Sequence, residues 1–311
     1  LTNTPLIRIN GIPYQAHSQN FFMIHTIAAL TATVFSISKD MVSKSVASRV
    51  DGTTSTLASF AYALPYYAVG LLLCILFGVP LGDLSGPFWL FVGLRSITDA
   101  CAEWLKMSAL GKTDISLVVP FFALSPVLLL IMGPLVSGDK LTPLGITGVL
   151  LSVIGTIGLL PRRSANASAA GSSAMQGIFM ALGASVFFAL NTLFDRLAVQ
   201  RASSLVSAAA MTATATLPFI IPVFRSSTRR EAFFREAKLF NLRGIFEVGF
   251  MTLKLFALAT LPGAYVTGLM RLSVLGTIIG GRMLFQEQET KRRLLWGSLV
   301  CAGSVLIVCS G

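Results

Sequence analysis

The sequence predicts an all-α integral membrane protein of ten transmembrane helices, arranged as two inverted five-helix repeats. Three observations predict it. The 311 residues are 54% hydrophobic and only 12% charged, with a mean hydropathy of +0.77, whereas a soluble domain carries about twice that charged fraction. Ten apolar stretches, each of roughly 17 to 25 residues, are long enough to cross a hydrocarbon core of about 30 Å. The last five of them repeat the charge pattern of the first five in a nearly fixed register.

The elements follow in order. A tail at 1–20 precedes a first five-helix half at 21–161, with spans at Phe21–Ser38, Ser55–Val79, Phe88–Leu110, Ile115–Val136 and Pro143–Pro161. The first span is ended by the charged run that begins at Lys39. The fourth carries Pro120, Pro126 and Pro134, each of which removes a ladder hydrogen bond and favours a kink. Residues 162–175 read RRSANASAAGSSAM, the small-residue composition of a flexible linker. A second five-helix half at 176–310 has spans at Gln176–Val199, Ser204–Phe224, Leu242–Leu261, Gly263–Phe285 and Leu294–Ser310, with Pro218 and Pro222 in the seventh. Gly145, Gly148 and Gly155 on the fifth span and Gly297 and Gly303 on the tenth permit close backbone approach, which suits a scaffold or a homodimer surface. Strands are excluded because no run alternates with period two.

The repeat is a register. One shift of 148 residues brings Arg95 onto Arg243, Asp99 onto Glu247, Lys106 onto Lys254, Gly133 onto Gly281, Asp139 onto Glu287 and Gly155 onto Gly303. In the first helices of each half the shift is 157, which places Lys39 on Arg196 and Lys44 on Arg201. An odd number of helices per half makes the second half enter the membrane from the opposite side, the inverted repeat of many secondary transporters. Outside the spans, the face that carries both termini holds three basic residues, Arg8, Lys140 and Arg201, against fourteen on the other face. By the positive-inside rule the second face is cytosolic. On it, the basic loop 225–240 offers Phe233, Phe234 and Phe240 to anionic lipid, or else is a solvated loop that sets topology. The excess of 24 Lys and Arg over 13 Asp and Glu, a net +11, is therefore read against a lipid bilayer, and no nucleic-acid partner is expected. The sequence opens on Leu1, so a further segment upstream is expected.

Charged side chains inside spans single out the candidate site, because each costs at least about 2.5 to 3.5 kcal/mol at mid-bilayer unless it faces a cavity or a partner. Arg95, Asp99, Glu103 and Lys106 share one face of the third helix, and Arg243, Glu247 and Lys254 repeat the stripe on the eighth, with Met251 in the place of Glu103. Local ion pairs, Arg95 with Asp99 and Glu103 with Lys106, are one reading, with Arg95 and Arg243 snorkelling from span ends. Lining of a central cavity by Lys106 and Lys254 is the other. Arg271 lies near the middle of the ninth span with no acidic neighbour, so it meets either an acid on another helix (Asp99, Glu103, Glu247 or Asp195) or a bound anionic group. Asn191 and Asp195, one turn apart on the sixth span, line the cavity from the other side, or Asp195 is neutralised by a nearby cation. His25 is expected to bond a backbone carbonyl. Cys74, Cys101, Cys301 and Cys309 all fall in apolar stretches, and no metal-ligand spacing or cofactor motif is present. Nor is there an HExxH or GxSxG motif, so an enzyme is not expected.

The segment from Asp114 to Leu160, with its counterpart from Met270 to Val308, resembles paired EamA-type domains of the drug/metabolite transporter superfamily. The resemblance rests on Pro126, on the acids Asp139 and Glu287 after the fourth and ninth helices, and on the glycines that follow; Asp139 stands where the family more often has Glu. It implies a multi-pass membrane protein of ten helices, a central pocket from the first, third, fourth, sixth, eighth and ninth, and alternating access by rocking halves. A related sugar-phosphate branch holds phosphate on a Lys-Arg pair in the ninth helix; here Arg271 fits the Arg, but Met270 replaces the Lys. The expected function is a secondary transporter of a small polar, anionic or zwitterionic organic metabolite. Its binding residues are Arg271, Lys106 and Lys254 with Glu103, Asp99, Glu247, Asn191 and Asp195. The alternative is a divalent-cation transporter or ion pathway that uses the intramembrane acids.

Overall fold

The computed structural model describes residues 18–122, 124–125, 127–128, 142–159, 169–261 and 263–309. Within them the chain folds into thirteen α-helices: α1 (Ser18–Ala47), α2 (Gly52–Ala61), α3 (Leu64–Leu76), α4 (Gly86–Lys112), α5 (Ile115–Phe122), α6 (Pro143–Gly158), α7 (Ala169–Val199), α8 (Ser204–Phe224), α9 (Ser227–Arg235), α10 (Ala237–Leu258), α11 (Gly263–Met270), α12 (Leu272–Phe285) and α13 (Thr290–Cys309). Of the features that the sequence singled out, Pro126, Gly133, Pro134, Asp139 and residues 162–168 lie outside the described residues.

The helix ends are set by local chemistry. Asp51 caps α2 by accepting from the amides of Thr53 and Thr54, Ser203 caps α8 through Val206 N–H, and Thr142 caps α6 through Gly145 N–H, with Pro143 in the first turn. The second span is two helices because the chain turns at Tyr62 and Ala63, just before Pro65. Pro218 and Pro222, expected to kink the seventh span, lie inside the single helix α8. α7 begins at Ala169, so the described part of the stretch read as linker is helical.

Ten spans were expected, but five stretches among the described residues are long and apolar enough to cross a membrane: Phe22–Ala47, Gly52–Leu76, Ser173–Val199, Ser204–Phe224 and Tyr265–Phe285. α6 is apolar but shorter. α4 and α10 drop out because of the charges they carry, and those charges, apart from Lys112 and Lys238 near the helix ends, point inward. Outward, α4 shows Trp89, Leu90 and Ile97, and α10 shows Leu242 and Ile245. Buried Lys, Arg, Asp and Glu inside a surface of exposed Leu, Ile, Val and Phe invert the pattern of a water-soluble protein.

Three long packings join the first half to the second: α1 along α10, α4 along α7, and α6 along α13. At the last, the sequence's glycines are used within the chain. A Cβ on Gly303 would meet Gly148 O at 2.5 Å and Ser152 N at 2.6 Å, and one on Gly155 would meet Trp296 O at 2.9 Å. Elsewhere, an isolated antiparallel bridge pairs Gly82 with Ala202: Asp83 N–H donates to Arg201 O at 2.8 Å and Ser203 N–H to Leu81 O at 2.9 Å. Gly82 has φ +99°, and a Cβ there would fall 2.5 Å from Ala202 Cα.

The basic loop 225–240 is largely helical, as α9 and the start of α10. Phe233 and Phe240 are not offered to lipid. Both are buried against Tyr62, whose hydroxyl donates to Phe233 O at 3.1 Å, and only Phe234 is exposed.

Candidate functional site

α1 runs nine residues past the expected end of the first span, and this extension carries Lys39 and Asp40 into the interior. Lys39 therefore does not belong to the loop charges counted for topology. Lys44, one turn further, donates to Leu110 O at 2.8 Å and to Thr113 O, satisfying carbonyls at the C-terminal end of α4.

Between α1, α4, α7, α10 and the α11–α12 junction lies a cavity of about 120 Å³. Its charged lining is Lys39, Asp40, Arg95, Asp99, Glu103, Lys106, Glu247, Lys254 and Arg271. Of the residues expected from sequence, Asn191 also lines it, and Asp195 stands just behind the wall.

The side chains are organised as ion pairs. Within the first half, Lys106 Nζ lies 2.7 Å from Asp40 Oδ1 and 3.8 Å from Glu103. Within the second half, Lys254 Nζ lies 2.6 Å from Asp195 Oδ2. Three of the ion pairs at the cavity cross between the halves. Arg95 Nε donates to Asp195 Oδ1 at 2.6 Å, Arg243 Nη2 donates to Glu103, and Lys39 Nζ lies 3.1 Å from Glu247. Arg95 also meets Asp99 at 2.8 Å, and Arg243 meets Glu247 at 3.4 Å, Ser43 Oγ at 2.8 Å and Ser59 O at 3.0 Å. Asn191 Nδ2 donates to Asp99 Oδ1 at 3.1 Å. Arg95 and Arg243 thus do not snorkel; they are 3% and 1% exposed, because each finds a carboxylate of the opposite half, which desolvation in an apolar interior requires. The two stripes face one another, and each local pair extends into a network.

Arg271 differs from every other cation here. The ninth span breaks at this residue: Arg271 N–H donates to Gly268 O at 3.0 Å, and Val274 N–H to Arg271 O at 2.9 Å, both three-residue bonds. Cys301 Sγ donates to the same carbonyl at 3.1 Å. The guanidinium donates from Nη2 to Ser125 Oγ at 2.8 Å and from Nη1 to Phe122 O at 3.4 Å, while its buried Nε–H has no acceptor. Neither Asp99, Glu103, Glu247 nor Asp195 reaches it, and among the described residues it has no carboxylate partner.

The sequence did not single out Lys39, Asp40 or Ser125 for this site. The signal for the first two was the apolar spacing that resumes at Met41, Val42 and Val46 beyond the charged pair. His25 stands apart from the cavity, stacked on Phe256 at 4.4 Å with Nε2 3.0 Å from Thr260 Oγ1. Among the described residues no group of three or more His, Cys, Asp or Glu is placed to hold a metal ion.

Glu287, the acid after the ninth helix, works at the entry of α5. Its carboxylate accepts from Ile115 N–H at 2.8 Å and Ser116 N–H at 3.1 Å, where the positive end of the helix favours it. Arg293 holds it from behind at 3.3 Å and meets Asp114 at 2.8 Å.

No curated protein sequence matches the chain. A solved structure described only as a crystal structure of a protein is 17% identical, with a TM-score of 0.58 over 92% of this chain and 97% of that one, a likeness of fold alone. The sequence model of the EamA-like transporter family matches twice, at residues 23–160 and 175–309. The first match contains the Asp40–Lys106 pair and the second the Asp195–Lys254 pair, so each half carries its own copy of the charged framework. With both halves matched and nearly all of the sequence covered, the chain is a multi-pass membrane protein that belongs to the EamA-like transporter family.

Proposed function

We propose that the protein is a secondary transporter that moves a small polar organic solute, anionic or zwitterionic, by alternating access between two inverted five-helix halves. The single observation that carries the solute's charge is Arg271. A guanidinium deep in an apolar helix array, on the wall of a cavity, with an unpaired Nε–H and no carboxylate among the described residues, is matched by a bound anionic group.

The inverted arrangement is supported by helix pairing. Exchange of the halves converts the α1–α10 packing into the α7–α4 packing and leaves α6–α13 unchanged. The contacts Arg95–Asp195, Arg243–Glu103 and Lys39–Glu247 all cross between the halves beside the cavity, and rocking exchanges them. The cation-pathway reading has less support, because the carboxylates that it needs are each occupied by a lysine or arginine.

The test is a thermal-shift screen of the detergent-purified chain against amino acids, organic acids, sugar phosphates, nucleotide sugars and divalent cations. A rise in melting temperature with one anionic class, lost in Arg271→Gln, is the expected result. A rise with metal ions alone, or an anion effect that survives the substitution, overturns it.

A further inference from the structure

The charge balance of the cavity narrows the solute further, on the premise that Arg271 holds an anionic group. The framework contains five carboxylates, Asp40, Asp99, Glu103, Asp195 and Glu247, and each has a cationic nitrogen within 3.1 Å. Five cations supply those nitrogens: Lys39, Arg95, Lys106, Arg243 and Lys254. Arg271 is the sixth cation, so among the described residues the site has a formal excess of one positive charge.

A carrier that closes around its solute in the middle of a membrane encloses the sum of both charges, and an uncompensated charge there is costly. A neutral solute or a zwitterion leaves the excess in place. A dianion reverses its sign. Only a solute with one negative charge cancels it.

The surroundings of Arg271 say what the rest of that solute is like. Its Nη1 is held by the carbonyl of Phe122, whose ring meets Phe188 edge-on with centroids 5.8 Å apart. Met270 and Val274 flank it in the chain, and all four line the cavity. They form an apolar patch beside Arg271, next to the hydroxyl residues Ser125, Thr267 and Ser273, whereas the other charged side chains of the wall are occupied by their own ion pairs. A guanidinium has five N–H donors, and two of those on Arg271 are committed, to Phe122 O and Ser125 Oγ. The free donors include Nε–H, which belongs to the fork that binds carboxylate with two parallel bonds.

We infer that the site takes a monocarboxylate with an apolar body, its carboxylate on Arg271 and its hydrocarbon portion against Phe122, Phe188 and Met270. Four compounds that share a benzene ring test the charge: benzoate, the neutral benzamide, the dianion phthalate and the zwitterion phenylalanine. Each is titrated against the full chain in detergent, with thermal stability as the readout. Benzoate is expected to bind at least ~10-fold more tightly than the other three, and Arg271→Gln to abolish its effect. The ranking on the unmodified chain stands alone if that variant folds poorly. Phthalate equal to or better than benzoate overturns the single-charge inference but leaves Arg271 as an anion site. Phenylalanine equal to or better than benzoate overturns the inference in favour of a zwitterion. Absence of any shift with benzoate, phthalate and the wider set of anions overturns the anion reading itself.

Discussion

Lys254 Nζ lies 2.6 Å from Asp195 Oδ2, and in the other half Lys106 Nζ makes the same kind of contact with Asp40 Oδ1 at 2.7 Å. The lysines are related by the 148-residue register, and each reaches back to the first helix of its own half. Each pair therefore ties a half together, while the arginines Arg95 and Arg243 tie one half to the other. Asp195 takes part in both kinds of contact. Asp195→Asn leaves Lys254 without its carboxylate and weakens the hold on Arg95, and is expected to destabilise the fold by about 3–5 kcal/mol. Asp40→Asn costs less, because Lys106 retains Glu103 at 3.8 Å. Unfolding of both variants in detergent, followed by circular dichroism, checks the order.

Arg271→Gln behaves differently from Arg95→Gln and Arg243→Gln. Removal of Arg95 takes the only cation from Asp99, and removal of Arg243 leaves Glu103 with Lys106 alone at 3.8 Å, whereas removal of Arg271 deprives no carboxylate among the described residues of a partner. The melting temperature of Arg271→Gln is expected to match or exceed that of the unmodified chain, while the other two fall by several degrees. The same unfolding assay decides it, and an equal fall in all three contradicts the distinction.

Which of these relationships could be read from sequence follows from how far apart the partners lie. Spans and repeat are visible because hydrophobic length and a constant register are local or periodic signals. The individual charges were visible too, since any charge in an apolar run stands out. Their partners were not: Arg95 meets Asp195, and Lys39 meets Glu247, across different helices, with no spacing rule to link them. Lys39 and Asp40 were hidden for a different reason. A charged pair after an apolar run reads as the end of a span, and only tertiary packing shows that α1 continues with both side chains buried. The break at Arg271 had no proline to announce it, and Gly268, on which the turn closes, is an ordinary residue in an apolar run; the break forms where Cys301 is a second donor to the Arg271 carbonyl.

Glu287→Ala removes the acceptor of two buried amides at the start of α5 and one of the two carboxylates around Arg293. A loss of about 3 kcal/mol is expected, with partial recovery in Glu287→Gln, whose carboxamide oxygen still accepts. Hydrogen exchange at Ile115 and Ser116 locates the effect: protection at those two amides is lost in the alanine variant.

Gly82→Ala places a methyl group against Ala202 at a residue with φ +99°. The bridge between the segment after α3 and the segment after α7 is expected to open, at a cost of about 1–3 kcal/mol. Faster exchange of the Asp83 and Ser203 amides, with the protection of α4 and α7 preserved, is the expected pattern.

The position of Arg271 outside the ion network has an evolutionary consequence. On the function proposed above, the residues that assemble the two halves and the residue that meets the solute are different residues, so a lineage can rewrite one without rewriting the other. A substitution at position 271 leaves no stranded carboxylate among the described residues for the fold to accommodate, and selection on cargo can act on it in a single step. A change in one of the paired lysines, arginines or acids leaves its partner to be accommodated, so the framework is constrained in a way that position 271 is not.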